Sequence, residues 1–175
     1  RVNGEDYAAK AIESGACYVL TEHMIDDIPA HKQAIVPDIL DASIALGGNF
    51  RDLFSLDVIG VTGSVGKTST KDMTHCVLSQ QYACHKTQGN FNNEIGLPLT
   101  IFGLNATDEI LLTEMGMNNF GEIERLSKIA NPDVAVITNI GVSHIENLGS
   151  RQNILKAKLE ILKGMKKDGV LIIDA

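Results

Sequence analysis

Cysteine is scarce in this chain. Its three residues, Cys17, Cys76 and Cys84, are an odd number and form no CxxC pair. That spacing argues against a disulfide framework or a thiolate zinc site, and it fits reduced thiols inside a cell. An excess of basic charge is also missing: 15 Lys and Arg against 22 Asp and Glu leave a net charge of −7 and a pI near 5.1. A nucleic-acid surface needs clustered cations, so no nucleic-acid partner is expected and any bound anion must be held locally. No apolar run approaches the ~18 residues of a membrane span, and no signal-peptide pattern is visible. The expectation is a soluble, cytoplasmic protein without membrane insertion. Low-complexity segments and internal repeats are lacking. There is no guanine-reading NKxD, which weakens a GTPase or P-loop kinase reading, and no Ser–His–Asp arrangement is discernible.

What is present is enough apolar material for one packed core and a smaller appendage, at 44% hydrophobic residues over 175. Residues 6–14 have helical spacing and run into Gly15, a natural helix stop. Strand-like runs at 17–21 and 34–36 follow, then a helix over 38–54. From Asp57 onward strands are expected at 57–62, 82–86, 110–114, 134–139 and 170–173. Helices are expected between them at 67–79, roughly 94–104, 120–130 and 151–165. This alternation predicts an α/β fold: a mostly parallel sheet with flanking helices, preceded by the remnant of a small α/β N-terminal domain. The chain starts without Met and stops just after an apolar run, so a fragment of a longer protein is expected.

In a parallel sheet, ligands collect beyond the carboxyl ends of the strands. Four polar clusters follow strands here: 62–69, 87–93, 114–119 and 139–146. The first is the glycine turn of "VIGVTGSVGKTSTKDM", residues 58–73. Gly63 and Gly66 permit backbone turns that aim successive N–H groups at an anion, and a helix opening near Lys67 adds its positive end. Lys67 supplies a full charge for β- and γ-phosphates, and Thr68 or Ser69 a hydroxyl for Mg²⁺. One oddity is that Val61, not glycine, stands six residues before the lysine.

A second oddity is Lys158. At ~100° per residue, Ile154, Leu155, Ile161, Leu162 and Met165 form an apolar stripe with Lys158 near its middle. Lys156, Glu160 and Lys163 fall on the opposite, solvent-like face. A lysine so placed must snorkel out past Ala157, pair with an acid, or be chemically altered. Glu114 closes an apolar strand at the ligand edge, where a carboxylate either holds Mg²⁺ or is an ordinary strand-end acid. Asn90, Asn92 and Asn93 either read polar groups of a substrate or form Asx turns. His144 follows the 134–139 strand; by itself a lone histidine is more often structural.

Taken in order, "TGSVGKT" (62–68), "KTQGNFNNEIGLPLTI" (86–101), "TEMGMNNFGEIERL" (113–126), "ITNIGVSHIENLGS" (137–150) and "ILKAKLEIL" (154–162) resemble the Mur ligase family. These are the ATP-dependent amide ligases that build the peptidoglycan stem peptide. The family's loop is TG-x-x-GK-T/S, which accounts for Val61. The Asn-rich segment and "KAKLEIL" resemble the branch that joins D-alanyl-D-alanine to a UDP-N-acetylmuramoyl-tripeptide through an acyl phosphate. The resemblance implies that Thr62, Gly63, Ser64, Val65, Gly66, Lys67, Thr68 and Ser69 line the ATP phosphates. It implies one Mg²⁺ on Thr68 and Glu114 and a second near His144, with Lys158 carbamylated into a metal ligand. Lys67, His144 and Lys158 are thereby implied as catalytic, and a monomer is expected. It implies a partial uridine-nucleotide-binding domain at 1–55, a truncated ATP-binding domain at 56–175, and an absent third domain, so that this chain alone is not expected to complete the ligation. The rival readings are a sibling ligase that adds a single amino acid, a folate-polyglutamylating relative, and a non-catalytic ATP-binding module.

Overall fold

The computed structural model describes residues 3–174. They divide into two compact units, one ending at Ser43 and one beginning at Ile44. The first unit holds a 3-10 turn (Gly4–Tyr7), helix α1 (Ala8–Glu13) and a two-stranded parallel sheet of β1 (Val19–Thr21) and β2 (Gln33–Ile35). Two polar side chains tie its loops together. Glu5 accepts from the backbone N–H groups of Glu22 and His23, and Gln33 bonds both backbone groups of Ile25. Helix α2 (Ile39–Arg51) spans the boundary in sequence.

The second unit alternates strand and helix: β3 (Asp57–Thr62), α3 (Lys67–Leu78), β4 (Cys84–Lys86), α4 (Gly96–Phe102) and β5 (Ile110–Glu114). It continues with α5 (Glu122–Ala130), β6 (Val134–Ile137), α6 (Ile145–Leu148), α7 (Arg151–Leu159) and β7 (Val170–Ile173). All five strands are parallel, in the order β4-β5-β3-β6-β7. The chain therefore runs outward from β3 on one side, returns beside it, and crosses to the other side. β3 lies at the point where that direction reverses, and the crevice beyond its carboxyl end is where such sheets take ligands.

The local reasons are ordinary. All five residues of β5, Ile-Leu-Leu-Thr-Glu, are buried, as expected of a strand covered on both faces. Val58, Leu97, Leu111, Met115, Ile123 and Ile154 anchor the core between sheet and helices. Ser150 caps α7 by accepting from the Asn153 N–H.

The C-terminal helical segment departs from the simple stripe. The α-helix ends at Leu159 and tightens into a 3-10 turn over Glu160–Lys163. Ile154, Ala157, Lys158 and Ile161 are buried, whereas Leu155 and Leu162 are exposed, so Lys158 stands at the margin of the buried arc. Glu160, expected on the solvent face, is buried instead. The tighter turn swings its carboxylate onto the N-terminus of α5, where it accepts from Gly121 N–H at 2.9 Å and Glu124 N–H at 3.4 Å. Those donors have no partner within their own helix and attract an anion. α6 was not expected; it is a single turn inside the loop after β6.

Candidate phosphate and divalent-cation site

Four strand ends contribute. From β3 to α3 the backbone passes through Gly63 (φ 151°) and Gly66 (φ 81°), conformations that favour glycine. Position 63 is closed to any side chain, because a Cβ there would stand 1.8 Å from Thr138 Oγ1. The loop is clamped from the β6 side. Thr138 Oγ1 donates to the Val65 carbonyl at 2.6 Å, and the Asn139 side chain accepts from the Val65 N–H at 3.1 Å. Ser64 N–H donates to the Asn139 carbonyl, and the Ser64 hydroxyl accepts from the Gly141 N–H. Thr62, fully buried, donates to the Met115 carbonyl at 2.8 Å. The clamp ties the Ser64 and Val65 N–H groups to Asn139 and holds the turn so that the uncapped N–H groups at the start of α3 are preset for an anion. Lys67 Nζ folds back on the Gly63 carbonyl at 2.9 Å, and Val65 lies exposed at the tip.

Register puts Glu114 beside Val61 across the β3–β5 pair. Its carboxylate is 2% exposed. One oxygen accepts from Thr68 Oγ1 at 2.8 Å and the other from Asn92 Nδ2 at 2.9 Å. Of the two candidate hydroxyls, Thr68 meets Glu114, whereas Ser69 is exposed with no side-chain hydrogen bond among the described residues. Asn93 behaves as a turn residue: its side-chain oxygen accepts from Ile95 and Gly96 N–H groups at the start of α4. Asn90 is exposed, and its carbonyl accepts from the Asn92 N–H.

Lys158 is 2% exposed and has no hydrogen-bond or ion-pair partner among the described residues. Burial pushes its ammonium down to about 8, helped by the positive charge of Lys67 nearby. Pairing with a protein acid is thereby excluded among the described residues, and the side chain does not escape to solvent. His144 is half-buried at the start of α6 in the left-handed region (φ 66°). No hydrogen bond or ion pair among the described residues links it to Glu114 or Lys158. Thus Lys67, Thr68, Glu114, Asn92 and Lys158 form one neighbourhood, and His144 belongs to the loop that buttresses it through Asn139 and Gly141.

The donor set suits a small, hard divalent cation. Thr68 and Glu114 present oxygens, and among the described residues no three His, Cys, Asp or Glu converge. Mg²⁺ takes one or two protein oxygens and completes its shell with water and phosphate. A cavity of about 950 Å³ lies elsewhere, lined in part by Asp57, Ile110, Val134 and Val170 where the strands begin. It includes none of these residues, and parallel sheets do not use that end for ligands. Sequence reasoning missed two contributors, Lys71 and Thr138, and had Asn139 only as the first residue of the 139–146 cluster. Lys71 sits four residues after Lys67, on the same helical face, which was a readable signal. The pairing of Thr138 with a bare Gly63 had no local signature.

Comparison with known proteins places this geometry. The family model described as "Mur ligase middle domain" matches residues 61–175. The UDP-N-acetylmuramoyl-tripeptide–D-alanyl-D-alanine ligase of Bacillus subtilis is 51% identical over 173 residues, covering 98% of this chain and 38% of that protein. A crystal structure of MurF from Acinetobacter baumannii superposes with a TM-score of 0.91 at 37% identity, covering 99% of this chain and 38% of that one. MurF ligase from Thermotoga maritima in complex with ADP gives a TM-score of 0.89 at 36% identity, covering 97% and 39%. The chain therefore spans well under half the length of the relatives it matches.

Proposed function

Because this chain belongs to the Mur ligase family, we propose that the protein containing it spends ATP to join D-alanyl-D-alanine to a UDP-N-acetylmuramoyl-tripeptide in peptidoglycan precursor synthesis. The observation that carries the reading is 51% identity along 98% of the chain to a ligase of that name. An ADP-bound relative with the same fold supports nucleotide at the glycine turn. Residues 1–55 are read as the end of a uridine-nucleotide-binding domain and 56–175 as part of the ATP-binding domain.

The chain's own residues then have definite tasks. Backbone N–H groups of Gly66, Lys67 and Thr68, at the start of α3, face the phosphates, and Lys67 leaves the Gly63 carbonyl to bridge the β- and γ-phosphoryl oxygens. Thr68 and Glu114 hold one Mg²⁺; His144 and a carbamylated Lys158 hold a second. Bound there, the cations neutralise charge on the phosphoryl oxygens. The tripeptide carboxylate attacks the γ-phosphorus, the bond to the β,γ-bridging oxygen breaks, and ADP departs with that electron pair. The amine of D-alanyl-D-alanine attacks the resulting acyl phosphate, expelling inorganic phosphate and releasing a proton. Asn90, Asn92 and Asn93 are read as the substrate-facing edge, with Asn92 also holding Glu114.

Carbamylation answers the isolation of Lys158. A buried amine with lowered proton affinity is partly neutral near physiological pH, and only the neutral amine adds CO₂. The product is an anion that no longer carries an unpaired ammonium. The test of the whole reading is amine-dependent phosphate release by the full-length protein across a panel of single amino acids and D-dipeptides. Selective release with D-alanyl-D-alanine is expected. Preference for a single amino acid would transfer the protein to a sibling activity, and no amine dependence would refute ligation.

A further inference from the structure

One buried cation has no task in that chemistry. Lys71 projects from α3 one turn beyond Lys67 and is 2% exposed. An ammonium so buried persists only against strong acceptors or an opposite charge. Lys71 has both: Nζ donates to the Thr87 carbonyl at 2.8 Å and stands 3.6 Å from Glu114 Oε2. Asp72, at 3.8 Å, competes weakly, being half-exposed and held by Lys86 at 2.7 Å. The other partners of the Glu114 carboxylate, Thr68 and Asn92, are neutral. Among the described residues, Lys71 is the one full positive charge within ion-pair range of that carboxylate. It also fastens the start of the 87–93 segment, since Thr87 offers its carbonyl to Lys71 and its hydroxyl to the Glu114 N–H.

We propose that Lys71 is a positioning residue, a resident counter-cation that balances and aims the Glu114 carboxylate whenever no divalent cation is bound. This rests on reading Thr68 and Glu114 as a divalent-cation site. A divalent ion approaching the empty site meets a nearly neutral Lys71–Glu114 pair, not a lone buried anion, so its affinity without nucleotide stays low. The phosphate oxygens of a nucleotide add the missing negative charge, and cation and nucleotide then bind together. At these separations one unit charge alters ion affinity by an order of magnitude or more.

The test is Mn²⁺ binding to the intact protein without nucleotide, followed by the electron paramagnetic resonance signal of free Mn²⁺. Lys71→Met is expected to bind Mn²⁺ at least about tenfold more tightly than wild type. Lys71→Arg should stay near wild type, and the gain should vanish in Lys71→Met/Glu114→Gln. Lys71→Gln, which keeps a donor but loses the charge, should repeat the gain and serves if the Met variant does not fold. A folded Met or Gln variant that binds Mn²⁺ no more tightly than wild type overturns the proposal, as does a gain that survives Glu114→Gln. A parallel arm measures wild-type binding of a non-hydrolysable ATP analogue with Mg²⁺. No binding there would bring down the nucleotide reading itself. Binding there with no gain in the variants would bring down the role of Lys71 alone.

Discussion

Lys158→Met should make this chain more stable, although it removes a residue assigned to catalysis. Lys158 is 2% exposed and has no ion-pair partner among the described residues. Its proton affinity falls from the ordinary 10.5 to about 8. Each tenfold loss of proton affinity is about 1.4 kcal/mol, so the charged form carries a penalty of about 3 kcal/mol relative to the unfolded chain. Methionine fills a similar volume with no charge to desolvate. The sign with pH is fixed by the direction of the shift. Below about 8 the lysine is protonated in both states and the full penalty applies. Between about 8 and 10.5 the unfolded chain binds more protons than the folded one, so wild-type stability rises with pH. The gap between variant and wild type should therefore be about 2–3 kcal/mol at neutral pH and shrink on the approach to pH 10. Urea denaturation in CO₂-free buffer at several pH values reads both quantities. A Met variant less stable than wild type at neutral pH, or a gap that does not change with pH, would refute the reasoning. Bicarbonate with Mg²⁺ should narrow the gap at neutral pH, by converting the wild-type amine to its carbamate.

Other outcomes are as definite. Lys67→Ala in the full-length protein should lower turnover by at least about a hundredfold in a phosphate-release assay, from loss of charge stabilisation on the transferred phosphoryl group. Gly63→Ala should abolish nucleotide binding as read by titration of a fluorescent ATP analogue, because its Cβ would stand 1.8 Å from Thr138 Oγ1. Retained affinity would show that the loop can shift. Glu160→Ala should destabilise the chain by about 1–3 kcal/mol in urea denaturation by uncapping α5, and Glu160→Gln by less. Lys158→Ala in the full-length protein should show no phosphate release and partly recover it with added short carboxylates, and failure of every carboxylate tried would count against the carbamate.

How far each feature could be read depends on its range along the chain. The alternation of strand and helix from Asp57 onward was legible because burial on both faces imposes continuous apolar runs such as 110–112. The glycine turn was legible because its parts lie within eight residues, 62–69, and the glycines, lysine and hydroxyls that define it are local in sequence. Lys158 was legible as an anomaly, since helical periodicity alone set an ammonium among apolar neighbours. Glu160 was misread because periodicity assumes an unbroken α-helix, whereas the segment tightens to a 3-10 turn at Glu160 and its carboxylate meets N–H groups of α5, an element distant in sequence.

The sequence alone specified the fold class, the glycine turn and the odd lysine, because these follow from spacing within one element or one loop. Only the tertiary structure decided which groups meet: Thr68 and Lys71 with Glu114, Thr138 with Gly63, and Glu160 with Gly121. Each pair joins different elements, and sheet order and register bring its members together. Side-chain pattern along a single element cannot encode a partner on another, so those contacts exist only once the parallel strands have lined up their carboxyl ends.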